Sequence, residues 1–141
     1  MAYMNQEKKA KIAAALKVVL KKYNVKGNLS VKNHSTISLT VKSGPIDFIQ
    51  NFIQVARAKP HVNRLDDKQA AHMQTKQYLD VNPYWYEEQF NGTALKFLEE
   101  AFESMRSAGW YNNSDVQSDY FDVAYYVDLK IGKWDKPYVI A

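Results

Sequence analysis

"LSVKNHSTISLTVKSGPIDFI", Leu29 to Ile49, is the stretch on which the fold turns. Leu29 and Val31 alternate with Ser30 and Lys32, and Ile37, Leu39 and Val41 alternate with Ser38, Thr40 and Lys42. Successive strand side chains point to opposite faces, so this period of two predicts two half-buried strands. Asn33-His34-Ser35 between them are turn formers, and the pair reads as a β-hairpin. Ser43-Gly44-Pro45 stops the second strand, because proline has no N–H to give a ladder. Pro45 also suits a first helical position, which predicts a helix over about 45–58 with Ile49, Phe52, Ile53 and Ala56 on one side. A strand continuing through 46–49 is the alternative.

Upstream, Ile12, Leu16, Val19, Leu20 and Tyr23 fall at helical spacing, and Asn5 is placed to cap a helix over about 6–23. Gly27 is the expected positive-φ residue behind it. Downstream, "KPHVNRLDDKQAAHMQTK" (59–76) has mixed polarity and reads as a long loop with at most one helical turn. "QYLDV" reads as a short strand ended by Asn82-Pro83, and "PYWYEEQF" as a helical turn presenting Tyr84, Trp85 and Tyr86. Thr93 caps a second strong helix over about 94–108, closed by Gly109. "YFDVAYYVDLKI" (120–131) alternates strictly: Phe121, Val123, Tyr125, Val127, Leu129 and Ile131 on one face, Tyr126, Asp128 and Lys130 on the other. "KWDKPYVIA" is then an ordered tail or a short edge strand. The order predicts one α+β domain over 1–141: an antiparallel sheet of about four strands with two main helices packed on one face.

Composition narrows the function classes. The 141 residues include ten Tyr, three Trp and no Cys, which removes disulfides, thiol nucleophiles and thiolate metal sites. No window is apolar enough for a membrane span and no secretory leader is legible, so a cytosolic location and no membrane partner are expected. Residues 1–60 carry eleven Lys/Arg against two acids, net +9, and residues 61–141 eight against thirteen, net −5. Such a split suits a basic face for an anionic partner, halves that neutralise each other, or a homo-oligomer.

His34-Ser35-Thr36 matches half of the paired His-x-Thr/Ser arrangement found in two-histidine phosphoesterases, where one imidazole is base and the other acid. Neither His61 nor His72 has a hydroxyl two residues on, so the second half is missing and no catalytic residue is assigned. No zinc-type His spacing, calcium loop, nucleophile elbow or phosphate-binding glycine loop occurs, and no metal or cofactor is expected. His34 and Thr36 remain as candidate binding residues. For an anionic partner, Lys11, Lys17 and Lys22 on the first helix are candidate phosphate contacts, and Tyr84, Trp85, Tyr86 and Tyr126 could stack on a nucleic acid or small nucleotide. Asp122 and Asp128, on the same sheet face as Tyr126, oppose that. For a protein partner, the segments holding Tyr84, Trp85 and Tyr86 and holding Trp134 have the aromatic and mixed-charge character of interface hot spots.

Three segments, "KVVLKKYNVKGNLSVKNHSTISLTVKSGPIDFI", "YLDVNPYWYEEQF" and "SDYFDVAYYVDLKIGKWDKPY", carry a resemblance to a large polyvalent protein-associated domain family of phages and conjugative elements. The likeness spares roughly 56–76. It implies a genomic context, proteins that accompany invading DNA, and brings no catalytic residues with it. The expectation that follows is a phage or mobile-element protein acting by binding, as a counter-defence protein that inhibits or sequesters a host component. The alternative is a nucleic-acid-binding accessory protein, and a nucleotide- or phosphodiester-directed enzyme comes third.

Overall fold

A computed structural model describes residues 3–58, 66–111, 124–133 and 135–141. Its elements run α1 (Gln6–Tyr23), β1 (Lys26–Lys32), β2 (Thr36–Gly44), α2 (Phe48–Ala58), α3 (Asp67–Lys76), β3 (Leu79–Val81), α4 (Tyr86–Gln89), α5 (Gly92–Met105), β4 (Tyr126–Ile131) and β5 (Val139–Ile140). The α+β class expected from the alternation stands.

The hairpin is where the sequence puts it. β1 and β2 pair antiparallel, Leu29 opposite Leu39 and Val31 opposite Ile37. Asn33 and His34 both sit at positive φ, 54° and 55°, and the Ser35 amide donates to Lys32 O at 3.2 Å. Two consecutive left-handed residues make a type I′ turn, whose twist matches that of the strands it joins. α1 is capped as expected, the Asn5 side chain accepting from the Lys8 amide at 2.8 Å. Its end differs: Asn24, at φ 56°, supplies the left-handed residue, while Gly27 is already in β1.

The sheet departs from the antiparallel expectation. Its order is β1-β2-β4-β3, and β2 pairs parallel with both β4 and β5. Alternation reports which face a residue uses and is silent on the direction of its neighbour. The excursion through α2, α3, β3, α4 and α5 returns the chain to the free side of β2, with Ile37 opposite Val127 and Leu39 opposite Leu129. β3 then closes the other edge antiparallel, Val81 opposite Leu129.

Registers sort the sheet into two faces. Leu29, Leu39 and Leu129 share one row of the inner face with Val81, and Val31, Ile37 and Val127 the next. Onto this face pack Ile12, Leu16 and Val19 of α1, Phe48, Ile49 and Ile53 of α2, and Phe97, Leu98 and Phe102 of α5, in one continuous core. Each such side chain contributes about 1.5–3 kcal/mol by leaving water. The outer face carries Lys32, Thr36 and Tyr126 in one row, Ser30, Ser38 and Asp128 in the next, and Asn28, Thr40, Lys130 and Asp80 in a third. Apart from buried Ser38, which donates to Asp128 at 2.8 Å, these side chains are exposed or half-buried.

Two segments differ from their expected form. Within 59–76, Asp67–Lys76 is a full helix opened by a capping box: Asp66 accepts from the Gln69 amide and Gln69 reaches back to the Asp66 amide. α5 begins at Gly92, two residues before expectation, and Asn91 rather than Thr93 holds the cap position. The Asn91 side chain is occupied elsewhere, accepting from Asn51 Nδ2 at 2.6 Å, while Asn51 Oδ1 accepts the Asn91 amide at 2.9 Å; this reciprocal pair ties α2 to the start of α5. In the long closing strand, Tyr126–Ile131 is β4 and residues 120–123 lie outside the described residues. Tyr125, Leu129 and Ile131 are buried on the inner face, as their parity requires.

Candidate functional site

The candidate residues do not gather into one site. His34 is exposed in the turn, where its carbonyl accepts the Met4 amide at 2.7 Å, and Thr36 opens β2 beside it. Tyr126 lies opposite Thr36 across the β2–β4 pair. Asn82 shapes the aromatic turn: its side chain accepts the amides of Tyr84 (2.8 Å) and Trp85 (3.2 Å). Tyr84 and Trp85 are left 63% and 56% exposed. Tyr86, expected beside them, is instead 6% exposed and stacks on Phe102 with ring centroids 4.7 Å apart; it is a core residue, and burial holds its phenol above the ordinary range. Trp134 lies outside the described residues.

Tyr84 and Tyr126 do meet, across a small cleft of ≈ 90 Å³ that Arg106 and Trp110 share. Arg106 was not legible as part of it. Its guanidinium lies over Trp110 (4.9 Å) and Phe102 (5.5 Å) and donates to Pro83 O at 3.4 Å, so it fills the cleft floor as a cation–π filler. The indole of Trp110 donates to Tyr125 O at 2.9 Å, and the Tyr125 hydroxyl donates to Met105 O at 2.6 Å, fixing the end of α5 to the start of β4.

The candidate lysines of α1 differ in their surroundings. Lys11 and Lys17 are exposed. Lys22 is spoken for: its ammonium donates to Glu100 Oε1 at 2.8 Å, and the Tyr23 hydroxyl donates to the other oxygen of the same carboxylate. Lys22 and then Tyr23 hold the Glu100 carboxyl below its usual range. The cluster joins α1 to α5, along with the edge contact of Tyr23 on Phe97 at 5.5 Å.

A concavity of ≈ 810 Å³ lies on the outer sheet face, beyond the Asn28–Thr40 row. β4 and β5 lie end to end along β2, and the chain between them bulges out as a tight loop. The amide of Lys133 donates to Lys136 O (2.8 Å) and that of Lys136 to Lys133 O (3.2 Å), so both lysines stand at the base of the loop. Gly132 makes this approach feasible. It lies at φ 68°, and a Cβ there would meet the Tyr138 nitrogen at 2.5 Å. Tyr138 then plugs inward, its hydroxyl donating to Ile46 O at 2.7 Å.

Lys133 and Lys136 line one side of the groove, Lys42 with Asn28, Ser30, Thr40 and Ser43 another, and Pro137 and Val139 add apolar wall. The Asn28 amide, with its oxygen toward Lys42, accepts from the ammonium at 2.6 Å. Among the described residues the lining side chains thus bear three positive charges and no carboxylate. Sequence reasoning missed these lysines because Lys42 and the pair 133/136 are more than ninety residues apart, and only the parallel return of the chain unites them. Such a lining of ammonium, hydroxyl and amide groups can bind an anion. Among the described residues no group of three or more His, Asp or Glu gathers as a metal set, and no helix is long and apolar enough to cross a membrane. No protein-family model, curated protein or solved structure matches the chain.

Proposed function

We propose that the chain is a small binding protein of a phage or mobile element, acting in counter-defence by sequestering a host component on the outer face of its sheet. The observation that carries the location is the cationic groove of Lys42, Lys133 and Lys136, set in the face that the described helices leave uncovered. Its volume falls within the roughly 300–1,000 Å³ usual for ligand sites. The resemblance of the Asn-His-Ser-Thr hairpin and the closing Gly-Lys-Trp-Asp-Lys-Pro-Tyr run to domains of invading elements supplies the context. The histidine that suggested an enzyme serves as a turn residue, which favours capture over turnover.

Expression in hosts that each carry one phage-defence system should restore plating of a restricted phage in at least one of them. The triple reversal Lys42→Glu, Lys133→Glu, Lys136→Glu should remove that rescue. Failure to rescue in any host would sink the counter-defence reading. Rescue that survives the triple reversal but is lost in Lys11→Glu, Lys17→Glu would move the working surface to α1 and favour the nucleic-acid alternative.

A further inference from the structure

The groove's chemistry specifies its occupant further, on the premise that the outer face is the working surface. We infer that the groove takes a small molecule carrying two or more linked phosphates, free or as part of a nucleotide.

Charge comes first. Among the described residues three ammonium groups from two chain segments line one concavity with no acidic side chain beside them, so a monovalent ligand would leave cations in mutual repulsion. A di- or triphosphate matches the count. The lining's hydroxyls and amide, from Ser30, Thr40, Ser43 and Asn28, add neutral donors of the kind that surround phosphate oxygens. Lysine suits this role, since a flexible point charge can follow a phosphate chain whose oxygens are not planar like a carboxylate.

Shape and surroundings argue against a nucleic-acid strand. Among the described residues no aromatic side chain lines the groove, whereas single-strand readers stack successive bases on aromatic rings. The rows that give the groove Asn28, Thr40 and Ser30 continue across the sheet to Asp80 and Asp128, the latter held by Ser38 and by Lys32 at 3.6 Å. A polyanion continuing along the face would meet those carboxylates; a compact one would not. The loop closed between Lys133 and Lys136 bounds the groove on another side. Pro137 and Val139 offer an apolar wall for a non-phosphate body, which tripolyphosphate lacks and a nucleotide has.

Isothermal titration of the full chain with tripolyphosphate, ATP and a 12-residue single-stranded oligonucleotide at 0.1 M salt tests this. Saturable binding of tripolyphosphate or ATP is expected, each of Lys42→Gln, Lys133→Gln and Lys136→Gln weakening it about tenfold, and Lys11→Gln with Lys17→Gln changing it less than twofold. Tighter binding of ATP than of tripolyphosphate would assign the ligand to nucleotides, and the reverse to free polyphosphates. Absence of binding at 1 mM of both probes, binding indifferent to all three groove lysines, or binding of the oligonucleotide alone would each overturn the inference. Melting curves of the variants confirm that they fold. A chain that binds neither probe yet gives phage rescue dependent on the three lysines refutes this inference alone, and one that binds ATP but rescues no phage refutes the counter-defence reading alone.

Discussion

At the residue scale, Tyr138 does more than its place near the end of the sequence suggests. It is 3% exposed, meets Phe48 edge-on at 5.6 Å, and donates its hydroxyl to Ile46 O. Burial, with a contribution from the Asp47 charge, pushes the phenol well above its ordinary value. The folded chain therefore keeps that proton to a higher pH than the unfolded chain does. The stability tied to it is complete below the unfolded value, about 10, and is lost as pH rises beyond it. Tyr86 and Tyr125, raised by burial as well, act in the same direction. Tyr138→Phe should cost about 1–2 kcal/mol at neutral pH by orphaning the Ile46 carbonyl, and should flatten the alkaline fall of the urea midpoint. An unchanged midpoint at pH 7 together with an unchanged alkaline slope would show that the hydroxyl is not held in this way. From sequence, Tyr138 was one apolar residue in a tail; its partner Ile46 is far off along the chain, and no local pattern announces such a pair.

At the level of elements, legibility followed periodicity. α1, α5 and the β1–β2 hairpin each bury one clean stripe, and each appeared in the sequence within about three residues of its bounds. α3 did not, because Ala70 is its only buried residue and its existence rests on the Asp66–Gln69 capping box and on side-chain bonds such as Gln74 to Gln50 at 2.6 Å. A helix supported from its cap has little apolar rhythm to read. The aromatic turn was legible in part: Tyr84 and Trp85 project as expected, while Tyr86 starts α4 and turns in. The hairpin gives the sharpest element-scale test of what its histidine does. A type I′ turn asks for left-handed residues at both centres, best met by Asn-Gly, and here the second is His34 at φ 55°. His34→Gly should relieve the left-handed penalty of roughly 1–2 kcal/mol, less the extra chain entropy of glycine, for a net gain of about 0.5–1 kcal/mol in urea unfolding. Binding or counter-defence activity should be unaffected. A stabilised variant that loses activity would return the imidazole to the functional site.

Over the whole molecule, the fold changes the meaning of the charge split. The +9 of residues 1–60 is a property of the sequence, yet the fold divides it between opposite sides. Lys11 and Lys17 sit on the outer side of α1, whose inner stripe of Ile12, Leu16 and Val19 joins the core beneath the sheet. Lys42 emerges from the far face of that sheet, where it is joined by Lys133 and Lys136 from the acidic half. A basic half is therefore not a basic face, and which lysines cooperate is set by a parallel strand pairing that no local pattern encodes. Helix layer and sheet lie between the two groups, and the Debye length is about 8 Å at 0.15 M salt. Contacts through the groove should then be blind to α1 at physiological salt, though long-range attraction of an anion at low salt should still sense the net charge. Lys11→Glu with Lys17→Glu should leave the dissociation rate of a groove-bound anion unchanged and slow its association severalfold at about 0.01 M salt, the difference fading by 0.15 M. Stopped-flow mixing with a fluorescent triphosphate at the two salt concentrations reads both rates. A faster dissociation in the double variant would mean that α1 touches the ligand, and an association rate insensitive to charge at low salt would mean that the field of the whole molecule plays no part in delivering it.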